Sequence, residues 1–193
     1  MLPDPDQLQP PADPRTVRTR ARLRAALLAE CGERPLEEVS VSAVARRAGV
    51  GRATLYLHYD GLPALAVDAC ADVVREGVDA LHAWTAPPSP DAPPPPLTDF
   101  LITVDHRAGL YRTLVSEGGG GPLGTLLHRE LRARSYGDRV RAGTPHPELA
   151  ASATAAAFTG LLADWLHGHL VLTPREFSHH VWRLLLAIHH IVR

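Results

Sequence analysis

Apolar residues recur every three or four positions along most of this chain, and no stretch alternates on a period of two, so the sequence predicts helices and no strand. A first helix is expected over residues 15–33, where Val17, Ala21, Leu23, Leu27, Leu28 and Cys31 are spaced for one side and Gly32 and Pro35 close it. Ser40 is placed to accept hydrogen bonds from the free amides that open a second helix, which runs through Val44 and Ala45 to Ala48. Gly49 supplies the backbone freedom for a sharp turn, and a third short helix covers residues 52–59. Helices this short cannot each bury a face alone and must pack as one unit.

A longer helix follows over residues 62–84, through Leu62, Ala66, Cys70, Val73, Val74, Leu81 and Trp84, despite Gly77. Seven of the ten residues 87–96 are proline, which predicts a loop there. Helix is expected again over 97–117, stopping at glycines 118–121, then over 123–139, 145–170 and 174–192. The fold class is therefore all-α: a three-helix N-terminal unit at 15–60 after a leader at 1–14, then a helical bundle at 61–193. In the last helix Phe177, Val181, Leu184, Leu185, Ile188 and Ile191 form a broad apolar face, with Trp182 and Leu186 beyond it. The helix before it carries Ala153, Ala156, Ala157, Gly160 and Ala163, small enough for close approach. Such faces must be covered, by the chain's own core or by a second copy in a four-helix interface.

Charge sharpens this division. Residues 15–59 hold nine arginines against four glutamates, whereas the chain as a whole carries a net charge of -1. Lysine is absent, so arginine by itself says little about binding. The opening "MLPDPDQLQPPADPR" has no basic residue before Arg15 and no apolar middle, unlike a signal peptide, and reads as a disordered leader of a cytoplasmic protein. No apolar run approaches the roughly 20 residues that span a bilayer. Cys31 and Cys70 fall in helical apolar patterns and read as buried thiols.

The stretch "SVSAVARRAGVGRATLYLHYDGLPAL" has the parts of a helix-turn-helix: Val44, Ala45, Val50 and Leu55 as inner contacts, Gly49 as the turn, and Arg52, Thr54, Tyr56 and His58 on outer or flanking positions. Here the chain resembles the TetR family of transcriptional repressors, with Ala45, Ala48, Gly49, Val50, Thr54, Leu55, Tyr56, His58 and Tyr59 at the family's spacing over about 45 residues. Beyond them the likeness is one of length, helical patterning and the segment "GLLADWLHGHL". Pro35 stands where the family commonly has glycine, Leu62 where it has a phosphate-binding lysine, and Leu57 where a larger polar residue is frequent. The resemblance implies a homodimer that binds a double-stranded DNA operator and releases it when a small-molecule effector enters the C-terminal bundle. It implies DNA contacts from Ser40, Arg47, Gly51, Arg52, Ala53, Thr54, Tyr56, Leu57 and His58, with Tyr59 in the core. Arg15, Arg18, Arg20, Arg46 and Arg47 can offset the missing lysine electrostatically.

For the effector pocket we take the aromatic residues Trp84, Phe100, Tyr111, Phe158 and Trp165, with Asp105 and His106 as polar candidates, since a drug-sized ligand needs aromatic walls and few polar groups. The alternative function is a helical protein that binds a small molecule or a partner without specific DNA binding. Enzyme chemistry has no constellation to rest on. The glycine run lacks the lysine and preceding strand of a phosphate loop and reads as a flexible connection. Ser116 beside Glu117 has no placed histidine. The histidines at 167, 169, 179, 180, 189 and 190 lack ligand spacing, so neither metal nor cofactor is expected.

Overall fold

A computed structural model describes residues 13–84 and 89–191 of the chain, and among these nine α-helices follow one another. They are α1 (Pro14–Glu33), α2 (Val41–Ala48), α3 (Arg52–His58), α4 (Leu62–His82), α5 (Pro95–Asp105), α6 (Ala108–Leu114), α7 (Gly121–Arg141), α8 (Pro147–Leu166) and α9 (Pro174–Ile191). The leader up to residue 12, residues 85–88 (which include the start of the proline-rich segment), Val192 and Arg193, and the side chains of His190 and Ile191 lie outside the described residues.

Asp13 caps α1 by accepting from the Arg15 amide at 2.9 Å. The buried line of α1 is Leu23, Ala26, Leu27 and Glu30, whereas Val17 is 50% exposed and Ala21 is exposed. The apolar side expected over the whole helix is thus buried only from Leu23 onward. Four departures from expectation have local causes. The helix expected over 97–117 breaks at His106 and Arg107 into α5 and α6. The proline-rich loop is shorter than read: Pro95 and Pro96 form the first turn of α5, where a missing amide hydrogen costs nothing. The glycine run is packed, not loose: Gly119 sits at φ +83°, and a Cβ there would come within 2.9 Å of the Thr159 carbonyl of α8. A side chain would therefore meet both a forbidden backbone region and the neighbouring helix. And α8 is itself a described helix long and apolar enough to cross a membrane, with mean hydropathy 1.3, although half of it is buried inside the protein.

The core runs continuously from Leu23, Leu27, Val44 and Leu55 through Leu65, Ala66 and Cys70 to Leu101, Leu127, Leu162 and Phe177. Trp165 stacks on Phe177 with ring centroids 4.9 Å apart, fixing α9 against α8. On α9 Phe177, Val181 and Leu186 are buried while Leu184 is 50% exposed, so the broad apolar face of the sequence divides between an inner and an outer side. Ala163 of the small-residue set is fully buried, whereas Ala156 is exposed. Cys70 is buried beside Tyr111, and burial pushes its thiol up to about 12 and the phenol upward as well.

Candidate nucleic-acid interface and internal cavity

The turn between α2 and α3 is fixed by its backbone. Gly49 takes the left-handed conformation, φ +63°, its amide donates to the Arg46 carbonyl at 3.1 Å, and the Val50 amide donates to the Ala45 carbonyl at 3.0 Å. This pair of bonds satisfies the last carbonyls of α2 and aims the chain into α3. A residue with a Cβ would be strained there. Inward, α3 contributes Leu55, which is fully buried. Outward, Gly51, Arg52 and Ala53 are exposed, Tyr56 is 53% and Leu57 83% exposed, and Thr54 and His58 are half-buried. The short helix and its N-cap thus carry seven of the sequence-derived DNA candidates, five exposed and two half-buried beside Leu55.

The other two have intramolecular partners. The Ser40 hydroxyl caps α2 by accepting from the Ala43 amide at 3.1 Å. Arg47 donates from Nε to Glu30 Oε1 at 2.6 Å and from Nη2 to Glu33. Glu30 is 3% exposed, so Arg47 supplies the counter-charge for a carboxylate buried between α1 and α2. The same guanidinium holds the Glu33 carboxyl below its ordinary range, and the carboxylates raise Arg47 in turn. Of the other arginines, Arg20 and Arg24 face α4, Arg18 bonds to the Pro14 carbonyl and Arg22 to the Gly49 carbonyl. Arg15, Arg46 and Arg52 make no side-chain hydrogen bond or ion pair among the described residues.

A polar bracket ties this unit to α4. The Tyr59 hydroxyl donates to Asp68 Oδ2 at 2.5 Å and accepts from Arg20 Nε at 3.2 Å, while Arg24 reaches Asp72 at 2.5 Å. The Arg20 guanidinium also lies 5.1 Å from the Tyr59 ring centroid. Burial, then the bond to Asp68, raises the Tyr59 phenol above its ordinary value. Leu62, at the position where the resemblance has lysine, is half-buried against the core.

The second feature is a cavity of about 430 Å³ lined by α4, α5, α7, α8 and α9. Of the five aromatic candidates, Trp84, Phe100 and Phe158 line it; Tyr111 is buried elsewhere, and Trp165 lies against α9 and a smaller cleft that Asp105 also borders. His106 lines neither space. Gly77, which interrupts the pattern of α4, makes room for the Phe100 ring, since a Cβ there would stand 2.6 Å from Phe100 Cδ2. The sequence reading missed the α7 side of the wall, Leu127, Leu131, Ser135 and Arg139. Their spacing of four is the signal: a helical stripe that begins apolar and turns polar toward one end. Trp182 also lines the space, its indole donating to the Ser89 carbonyl at 2.8 Å. Among the described residues no group of three or more His, Cys, Asp and Glu side chains is arranged to hold a metal ion.

Residues 23–66 match the sequence model of "bacterial regulatory proteins, tetR family". No curated protein sequence matches. Among solved structures, the chain superimposes on the TetR-family repressor AlkX from Dietzia sp. strain DQ12-45-1b, implicated in biodegradation of n-alkanes, with TM-score 0.65 and 16% identity over 96% of this chain and 100% of that one. A TetR transcriptional regulator from Rhodococcus sp. RHA1 matches with TM-score 0.60 and 18% identity, covering 91% of this chain and 98% of the other. NalD of Pseudomonas aeruginosa, the secondary repressor of the MexAB-OprM multidrug efflux pump, matches with TM-score 0.54 and 18% identity, covering 91% and 97%. At such identities the structural likeness speaks for the fold: the chain has the fold of TetR-family transcriptional regulators and carries the tetR-family sequence match over residues 23–66.

Proposed function

We propose that the protein is a dimeric, ligand-responsive repressor of the cytoplasm, released from a palindromic operator when a small molecule enters the cavity. The observation that carries the reading is the outer face of α3. Tyr56 and Leu57 are largely exposed and Arg52 has no partner among the described residues, beside a turn whose geometry is fully satisfied. Leaving a tyrosine and a leucine in water on a seven-residue helix serves a surface that docks on something. An arginine and a tyrosine there suit phosphates and base edges, and Leu57 suits a thymine methyl. Gly51, Ala53, Thr54 and His58 complete the surface, whereas Ser40 caps α2 and Arg47 is engaged by Glu30 and Glu33.

Two such units would occupy successive major grooves about 34 Å apart. The dimer reading draws support from the outer sides of α8 and α9, where Leu149 is 63% exposed, Leu184 50% exposed, and Ala156 lies open. Control would run through α4, whose N-terminal half is bracketed to α1 and Tyr59 and whose C-terminal half lines the cavity. An effector moves the DNA equilibrium only by its differential affinity for the two spacings. Repression is proposed by analogy with AlkX and NalD, both named as repressors.

Fluorescence anisotropy on a selected duplex tests this. Arg52→Ala and Tyr56→Ala are expected to weaken binding by about 1–3 kcal/mol each if they reach bases. Folded variants that bind as tightly as the parent would remove α3 from the interface.

A further inference from the structure

The cavity contains a cation that its own protein leaves unpaired. Arg139 is 6% exposed; its Nε donates to Ser135 Oγ at 3.2 Å and its Nη2 to Thr154 Oγ1 at 3.2 Å. Nη1, which carries two more hydrogens, is buried with no hydrogen-bond partner among the described residues. The neighbouring carboxylate makes no hydrogen bond or ion pair with it and offsets its burial only through space: Asp138 is engaged by Arg141 on one oxygen and stands 3.5 Å from His82 Nε2 on the other. A guanidinium remains charged in proteins, and a buried charge without a counter-ion is costly. Burial accordingly lowers Arg139 from its ordinary value.

Resting on the reading of the cavity as the effector site, we infer that its ligand is a monocarboxylate with an apolar body, the carboxylate pairing with Arg139 and the body lying along Leu131, Phe100, Phe158 and Trp182. The acid-base balance of the wall selects the class. Arg139 is the one Arg or Lys among the lining residues, which also include Asp138, His82 and His189, so a dianionic phosphate would find a single permanent cation and a cationic ligand would meet the unpaired guanidinium. Size agrees. At roughly 30 Å³ per water-sized group, a cavity of about 430 Å³ holds a ten-carbon acid or an aromatic acid of similar bulk.

The probes are decanoate and its neutral counterpart decanol, titrated into the full-length protein and followed by tryptophan fluorescence, since Trp84 and Trp182 line the space. Wild type is expected to bind decanoate ten- to a hundredfold more tightly than decanol, the range of a charge-assisted hydrogen bond. Arg139→Gln, which can still bond to Ser135 and Thr154, and Arg139→Met are expected to abolish that preference and leave decanol binding unchanged. Without ligand, R139M is expected to melt no lower than wild type, because it removes an unpaired charge. Leu131→Trp, which fills the cavity, is expected to abolish binding of both probes. Equal binding of the two probes by wild type, abolished by L131W, would overturn the carboxylate assignment while leaving the cavity as the effector site. Decanoate binding that survives L131W, or no decanoate binding at all, would overturn the inference and leave the effector reading to be decided by release of DNA.

Discussion

Removing one oxygen atom from Tyr59 tests whether the bracket between the helix-turn-helix and α4 holds the two together. In Tyr59→Phe the ring keeps its place, 6% exposed, but the bond to Asp68 at 2.5 Å and the acceptor for Arg20 at 3.2 Å are lost. A hydrogen bond to a charged group contributes about 1.5–3 kcal/mol. Here the low end applies, because the Asp68 side chain is 22% exposed and retains Arg20 at 3.3 Å and Arg24 at 3.7 Å, so it is not stranded. The expected loss is about 1.5 kcal/mol, which for a chain of this size lowers Tm by roughly 3–6 °C. Urea unfolding followed by circular dichroism measures it, and a double-mutant cycle with Asp68→Asn isolates the pair. The Tyr59 phenol is raised in the folded state, so its contribution is present below the ordinary tyrosine range and lost as pH rises through the folded value; Y59F is expected to lack that alkaline decline. Unchanged stability, or additive effects of Y59F and D68N, would refute the bracket.

Other outcomes follow from the same geometry. Arg47→Ala is expected to lower Tm while leaving the salt dependence of DNA binding unchanged, because Arg47 is engaged by Glu30 and Glu33; Arg52→Ala is expected to leave Tm unchanged and reduce the salt slope by about 1. Leu184→Glu, at a half-exposed site of α9, is expected to shift the protein toward monomer in sedimentation velocity without altering its helix content. Glu176 accepts from both the amide and the hydroxyl of Thr173 at the start of α9 and is held below its ordinary range. Its contribution is therefore present above the ordinary carboxylate value, about 4.3, and lost as pH falls through the folded value; Glu176→Gln should be less stable than wild type at pH 7, with the gap closing as the pH falls below the ordinary carboxylate range.

The helices and the turn were legible in the sequence because each is fixed locally. Ser40 caps α2, Gly49 takes the left-handed turn and Leu55 points inward for reasons confined to a dozen residues. Elsewhere the deciding partner was remote. Arg47 reads as a DNA arginine until Glu30, seventeen residues earlier, is found buried beside it. Glycines 118–121 read as slack until α8 is found against Gly119. Trp165 and Tyr111 have the composition of pocket residues, yet stack on Phe177 and pack beside Cys70. Arg139 was invisible as a ligand group because nothing in its own helix shows that it is buried or that it meets Thr154 of α8.

Selection of bound duplexes from a random library by the full-length protein, followed by anisotropy across a salt series, decides whether α3 reads an operator. A palindrome with half-sites about one helical turn apart is expected to be enriched and bound with steep salt dependence that Arg52→Ala makes shallower. No enriched sequence, from protein shown to be folded and dimeric, would contradict that expectation and favour a helical binding protein that does not read an operator.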